Sequence, residues 1–169
     1  MKKLIIILVW VILTGFIFLA IEGNDMKEIR TEIEIAAPPT KVWSILTDID
    51  KWQEWSPVIN KSKGTATLGS KLDITMCGKE KGTDGPRYYP KITKLDKDKL
   101  LQWSAKMMAG FIMTNGKILK LEETSTGTKL IHKETFSGMM VPMMWSHMEK
   151  GVPPMLNSMN EALKEYAEK

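Results

Sequence analysis

A chain of 169 residues, 43% hydrophobic and 26% charged, has the composition of one globular domain. Its single Cys rules out an intramolecular disulfide, and one Cys with two His cannot build a four-ligand zinc site of those residues. The formal net charge of +4 shrinks to 22 basic against 20 acidic residues once Lys2 and Lys3 are set aside; Lys91, Lys94, Lys97 and Lys99 are scattered rather than massed beside aromatics, so nucleic acid is not an expected partner.

Leu4–Ile21 is an apolar run broken only by Thr14 and Gly15. As a helix it would be roughly 27 Å long, close to the hydrocarbon thickness of a bilayer. The exit, Leu19-Ala20-Ile21-Glu22-Gly23, has no small-x-small cleavage pattern and no cysteine to accept a lipid. An uncleaved membrane anchor over residues 1–21 is therefore expected ahead of a cleaved signal or a buried core helix. Lys2 and Lys3 before the run, against Glu22 and Asp25 after it, place the short N-terminus in the cytoplasm and the rest of the chain outside the cell membrane, as a single-pass protein.

Residues 22–27 read as a tether. Ile29, Thr31, Ile33 and Ile35 alternate with charged residues, predicting a half-buried strand that Pro38-Pro39 stops. Val42, Ile45, Leu46 and Ile49 fall at helical spacing after Pro39, and Asp48–Trp55 reads as a second short helical piece ended by Ser56-Pro57. Strands are then predicted at Lys71–Met76, Tyr88–Leu95, Leu100–Met107, Asn115–Glu123 and Lys129–Phe136. The polar connections Thr83–Pro86, Asp96–Lys99 and Ser125–Gly127 are too short for parallel crossovers, so the sheet is an antiparallel meander. A long amphipathic helix over Pro153–Glu168 closes the chain, with Met155, Met159, Ala162, Leu163 and Tyr166 on one face. Sheet and helix each have one apolar face to bury, which makes an α+β grip.

Ile33-Glu34-Ile35-Ala36-Ala37-Pro38-Pro39-Thr40-Lys41-Val42-Trp43, then Leu46-Thr47-Asp48 and Trp52-Gln53-Glu54-Trp55-Ser56-Pro57, resemble the entry signature of the START/Bet v 1-like superfamily (SRPBCC), in its polyketide cyclase/dehydrase-like branch. Glu134–Gly138 with Val141-Pro142, and the ending Met159–Lys164, are similar to a subgroup of small members. The resemblance implies a helix-grip fold over residues 28–169. It also implies a cavity between the curved sheet and the terminal helix that takes lipid-like, sterol-like or polyketide-like molecules.

Strand parity predicts an inward set of Leu72, Ile74 and Met76; Tyr88 and Ile92; Leu101, Trp103 and Ala105; and Leu119 and Leu121. On the last strand Leu130, His132, Glu134 and Phe136 share one face, and Lys129, Ile131, Lys133 and Thr135 the other, which should be the outer one. His132 and Glu134 would then sit in the cavity, either satisfying each other, a water or a loop amide, or orienting the polar head of a ligand. The 13 methionines are the compositional oddity. Met155 and Met159 are read as core or ligand lining, and Met143, Met144 and Trp145 as a gate or lining in a Gly- and Pro-bounded segment. No nucleophile elbow, ordered triad or Gly-rich phosphate loop is present, Cys77 reads as an inert thiol, and no metal or cofactor is expected.

The expected function is a membrane-tethered domain that holds a small apolar ligand for sequestration or transfer. One alternative is a cyclase or dehydratase using His132, Glu134 and Tyr88. The other is an interaction domain with a filled core, presenting Trp52, Trp55 and Met139–Trp145 to a protein partner.

Overall fold

The computed structural model describes residues 26–80, 82–107 and 109–169. The expected anchor and most of the tether lie outside these residues. Among the described residues, no helix is long and apolar enough to cross a membrane.

The opening alternation forms β1 (Lys27–Ile35), and Pro39 starts α1 (Pro39–Thr47), whose Val42, Trp43 and Leu46 are buried. A 3₁₀ turn (Ile49–Lys51) leads into the single turn of α2 (Trp52–Trp55). Trp52 is fully buried, donates its indole N–H to the Leu46 carbonyl at 3.2 Å, and lies 5.2 Å from the Trp103 ring. Trp55 is buried too, so neither tryptophan offers the protein-binding surface considered for them.

The described residues contain eight strands. After β1 come β2 (Ile59–Lys63), β3 (Asp73–Cys77), β4 (Asp84–Tyr88), β5 (Lys91–Asp96), β6 (Leu100–Met107), β7 (Met113–Thr124) and β8 (Gly127–Ser137). Every pairing is antiparallel, in one sheet ordered β1-β8-β7-β6-β5 and a smaller one ordered β2-β3-β4. Residues 69–72 run beside 90–92, with Leu72 N–H on the Pro90 carbonyl and Ile92 N–H on Ser70, so the two sheets join into one curved surface.

Three expectations need correction here. Strand β2, Ile-Asn-Lys-Ser-Lys, was not foreseen because it has one apolar residue and so no alternation to read. The Thr83–Pro86 turn belongs largely to β4, an edge strand where the missing N–H of Pro86 is tolerated, and Pro90 divides the expected Tyr88–Leu95 strand into β4 and β5. The closing helix, α3, spans Val141–Ala167 rather than starting at Pro153. Pro142 suits its first turn, and Pro153 and Pro154 withhold donors only from the carbonyls of Glu149 and Lys150, which lie on the exposed side where water replaces them. Its buried stripe, Val141, Met148, Leu156, Met159, Leu163 and Ala167, continues through the prolines.

The core has two parts. The larger joins α1, α2, the sheet and the C-terminal half of α3; the smaller packs Ile29 and Phe136 against Val141, Met148 and Leu156. The outer face of β8 behaves as parity predicts, Lys129 pairing with Glu32 and Lys133 with Glu28 across to β1.

Gly127 begins β8 with φ +147°, and a Cβ there would come within 2.2 Å of the Ile35 carbonyl oxygen. Gly127→Ala is expected to lower stability by more than about 1 kcal/mol, because both the backbone conformation and the close approach to β1 resist it. A denaturant titration that leaves the midpoint unchanged would contradict this.

Candidate functional site

Period-two alternation along β7 puts Leu121, Leu119, Lys117 and Asn115 on the inner face, all buried. The β7–β8 register sets Lys117 directly opposite Glu134, and Asn115 opposite Phe136. Lys117 and Glu134 are each 6% exposed and form an ion pair at 2.8 Å. Two charges buried this deeply are stable only when paired and hydrogen-bonded on their remaining sites, and both are. Glu134 Oε2 accepts from Asn115 Nδ2 at 3.3 Å. Lys117 Nζ also donates to His132 Nε2 at 3.0 Å, and lies 4.0 Å from Met159 Sδ and 6.0 Å from the Trp103 ring centroid.

The chain of contacts assigns the histidine tautomer. An ammonium only donates, so Nε2 of His132 is the acceptor and the ring proton sits on Nδ1, which donates to Asn160 Oδ1 at 2.7 Å. The Asn160 amide is oriented in turn by its Nδ2 donating to Thr31 Oγ1 at 2.9 Å. One polar line therefore runs from β1 through α3 and β8 to β7: Thr31, Asn160, His132, Lys117, Glu134, Asn115. His132 is fully buried; burial, and then the Lys117 charge, hold its pKa well below the ordinary imidazole value, opposed only by the bond to Asn160. It is a neutral relay between an amide and an ammonium.

This line borders a cavity of about 20 Å³ between the sheets and α3. Its walls are Trp52, Val58, Ile59, Met76, Tyr88, Trp103, Lys117, Glu134, Met155, Leu156 and Met159. Burial, then the Glu134 charge, push the Tyr88 phenol upward from its ordinary pKa, so it stays protonated and can donate. The buried indole N–H of Trp103 has no acceptor among the described residues. The site thus offers an ammonium and a phenol as donors beside one carboxylate, among walls that are otherwise apolar or aromatic.

Of the residues singled out in the sequence, Met76, Tyr88, Trp103, Glu134, Met155 and Met159 line this space. His132 touches it only through Lys117, so it and Glu134 do not satisfy each other; Lys117 stands between them. Leu72, Ile74, Ile92, Leu119 and Leu121 are packed into the larger core rather than lining the cavity. Phe136 belongs to the smaller cluster under α3. Met144 lies on the solvent side of α3, and Met143 is more exposed still, so neither lines the site in this conformation. The inner wall is also not wholly apolar, as the inward set implied. Lys117 and Asn115 were missed although the parity that selected Leu119 and Leu121 reaches them two and four residues earlier. Asn160 is absent from the expected apolar face of Met155, Met159, Ala162, Leu163 and Tyr166 because a polar side chain carries no apolar signal, yet it is buried beside them.

Lys117→Met should cost about 3–5 kcal/mol by leaving Glu134 buried without its partner, and Lys117→Met with Glu134→Met should recover most of that loss. Equal destabilisation of the single and double variants would contradict the pairing. Since native His132 resists protonation while the unfolded chain accepts a proton below about pH 6.5, stability should be full above that pH and fall as the pH drops through it, by at most about 1.4 kcal/mol per unit for this group. His132→Gln should flatten the slope between pH 7 and 5 in denaturant titrations; an unchanged slope would place the proton uptake elsewhere.

Residues 26–168 match the family described as polyketide cyclase / dehydrase and lipid transport. No curated protein sequence matches the chain. Among solved structures, it is similar to the di-domain aromatase/cyclase StfQ of the steffimycin biosynthetic pathway, with 12% identity, TM-score 0.69, and coverage of 85% of this chain and 51% of that one. It is also similar to Ara h 8.0201 (18%, TM-score 0.66, 85% and 98% covered) and to a point mutant of Thalictrum norcoclaurine synthase bound to a transition-state analogue (16%, TM-score 0.66, 85% and 95% covered). At these identities the structures establish the α+β helix-grip fold, and with the family match over nearly all the described residues, the chain belongs to the polyketide cyclase/dehydrase and lipid-transport family of the SRPBCC superfamily.

Proposed function

We propose that the chain is a membrane-tethered binding domain that holds a small apolar molecule bearing one hydrogen-bond acceptor, for sequestration or transfer. The observation that carries this reading is the Lys117–Glu134 pair set in the wall of an enclosed, otherwise apolar cavity between sheet and helix. A core built only for stability does better with packed hydrocarbon than with a buried ion pair. The acceptor of the guest, a carbonyl, phenolate or carboxylate, meets Lys117; its body lies among Trp52, Met76, Trp103, Met155 and Met159. The anchor is the Leu4–Ile21 run, read from sequence alone.

A cavity of 20 Å³ has room for about one water, so uptake requires the walls to move. Three wall residues are methionines, whose unbranched side chains repack at little cost. Immediately before Met155, the Pro153-Pro154 pair leaves two helix carbonyls without intrahelical donors.

A second reading, an enzyme of cyclase or dehydratase type, is favoured by one feature: Tyr88, Lys117 and Glu134 border the same space and combine donors with a potential base. Tyr88→Phe, which leaves the ion pair whole, separates the two, abolishing turnover while leaving uptake largely intact.

Native mass spectrometry of the full chain extracted from its host membrane should show an apolar molecule bound. Lys117→Met/Glu134→Met should fold and bind that molecule about 10- to 100-fold more weakly, the loss of one charge-assisted hydrogen bond. Absence of any bound molecule, together with no uptake from a panel of fatty acids, sterols and polycyclic phenols, would overturn the proposal.

A further inference from the structure

Six large apolar side chains are markedly exposed among the described residues, and four of them, Met26, Phe111, Met143 and Met144, are gathered at one pole. Phe111 and Met143 are 70% and 68% exposed. The gathering follows from the backbone. The turn before β7 is bonded to the start of α3, Met139 N–H to the Phe111 carbonyl at 3.2 Å and Met140 N–H to Ile112 at 3.1 Å. Met26 precedes Lys27, which opposes Phe136 near the end of β8, and Lys27 Nζ lies 5.8 Å from the ring centroid of Trp145. Two exposed cations flank the patch: Lys27, and Lys106, whose stem lies beside Gly110. Isolated exposed apolar residues are ordinary, but a contiguous group rimmed by cations marks a contact surface.

The chain itself indicates what covers it. Only five residues separate Ile21, the end of the apolar run, from Lys27, the first residue of β1. At about 3.5 Å per residue they reach no more than about 20 Å. An anchor at Leu4–Ile21 therefore holds this pole, and not the opposite one with the Asp96–Lys99 turn, against the surface from which the chain emerges. Apolar side chains with basic neighbours are the chemistry that enters an anionic lipid interface.

We propose that this pole docks on the lipid surface, Phe111, Met143 and Met144 entering the boundary between headgroups and acyl chains, with Lys27 and Lys106 on anionic headgroups. The proposal rests on Leu4–Ile21 being an anchor and is independent of what the cavity binds. It sets the N-terminal half of α3, ahead of Pro153 and Met155, along the membrane.

The test uses the full chain carrying Cys77→Ser, reconstituted in vesicles of phosphatidylcholine and phosphatidylglycerol, with an environment-sensitive dye on Phe111→Cys, Met143→Cys or, at the far end, Lys97→Cys. Dyes at 111 and 143 should shift to the blue, resist aqueous iodide and be quenched by lipid-borne quencher, while the dye at 97 should do the reverse. Should 111 and 143 be as open to iodide as 97 while the chain still floats with the vesicles, the pole stands in water and the docking is overturned. Protection from both quenchers would mean a second copy or another protein covers the patch, which also overturns it. A chain that no longer floats after an alkaline wash would refute the anchor, and the docking with it; ligand uptake measured on the same preparation reports separately on the cavity.

Discussion

The arrangement of this domain depends on one buried ion pair. Lys117 and Glu134 face each other across neighbouring strands, beneath a helix, almost wholly withdrawn from bulk water. Removing two charges from water costs several kcal/mol each, and that cost is offset only if every remaining donor and acceptor is met. His132, Asn115, Asn160 and Thr31 meet them, so the pair dictates the identities of residues on β1, β7, β8 and α3 at once. It also fixes the register of the helix on the sheet, because Asn160 reaches both His132 and Thr31 only at one axial and rotational setting.

The same pair defines the chemistry of the interior. Apolar walls alone would make a cavity that accepts hydrocarbon and orients nothing. An ammonium held by a carboxylate and a neutral imidazole, beside a protonated phenol, gives the space a polar end. A guest with one acceptor can enter in one orientation, which is what either carriage or catalysis requires. The ammonium is preorganised: its third N–H meets only the Met159 sulfur at 4.0 Å, so a guest acceptor can take it without breaking the bonds to Glu134 and His132.

Much of this was legible in the chain. The alternation of β1, the 3.6 period of α1 and the parity of β8 follow from burial of one face, and each led to the correct inner residues, including His132 and Glu134. Failures occurred where the physical cause was not local. Lys117 is inward by parity, but lysine reads as solvent-facing until Glu134 is known to lie opposite, and that depends on strand register. Asn160 has the same difficulty across helix and sheet. Pro153 and Pro154 look like a boundary because proline lacks a donor, whereas the apolar stripe running past them, from Met148 to Leu156, outweighs two lost bonds on the exposed side. β2 carries almost no apolar signal, and its existence depends on pairing with β3. The size of the cavity was not legible at all, since it depends on how three methionines and three aromatic residues share one space.

The two halves of α3 are fastened differently. Its C-terminal half is secured by polar bonds: Asn160 to Thr31 and His132, the Lys164 ammonium to the Glu34 carbonyl, and Glu168 to the Ala36 N–H. Beyond its first turn, the N-terminal half is held by apolar packing on Ile29 and Phe136. Apolar packing is non-directional and tolerates sliding, whereas each polar bond breaks outright when stretched. The element is therefore a strap sewn along one margin only, and if a guest enters the interior as proposed, the Val141 side of the two prolines is the margin that yields most easily.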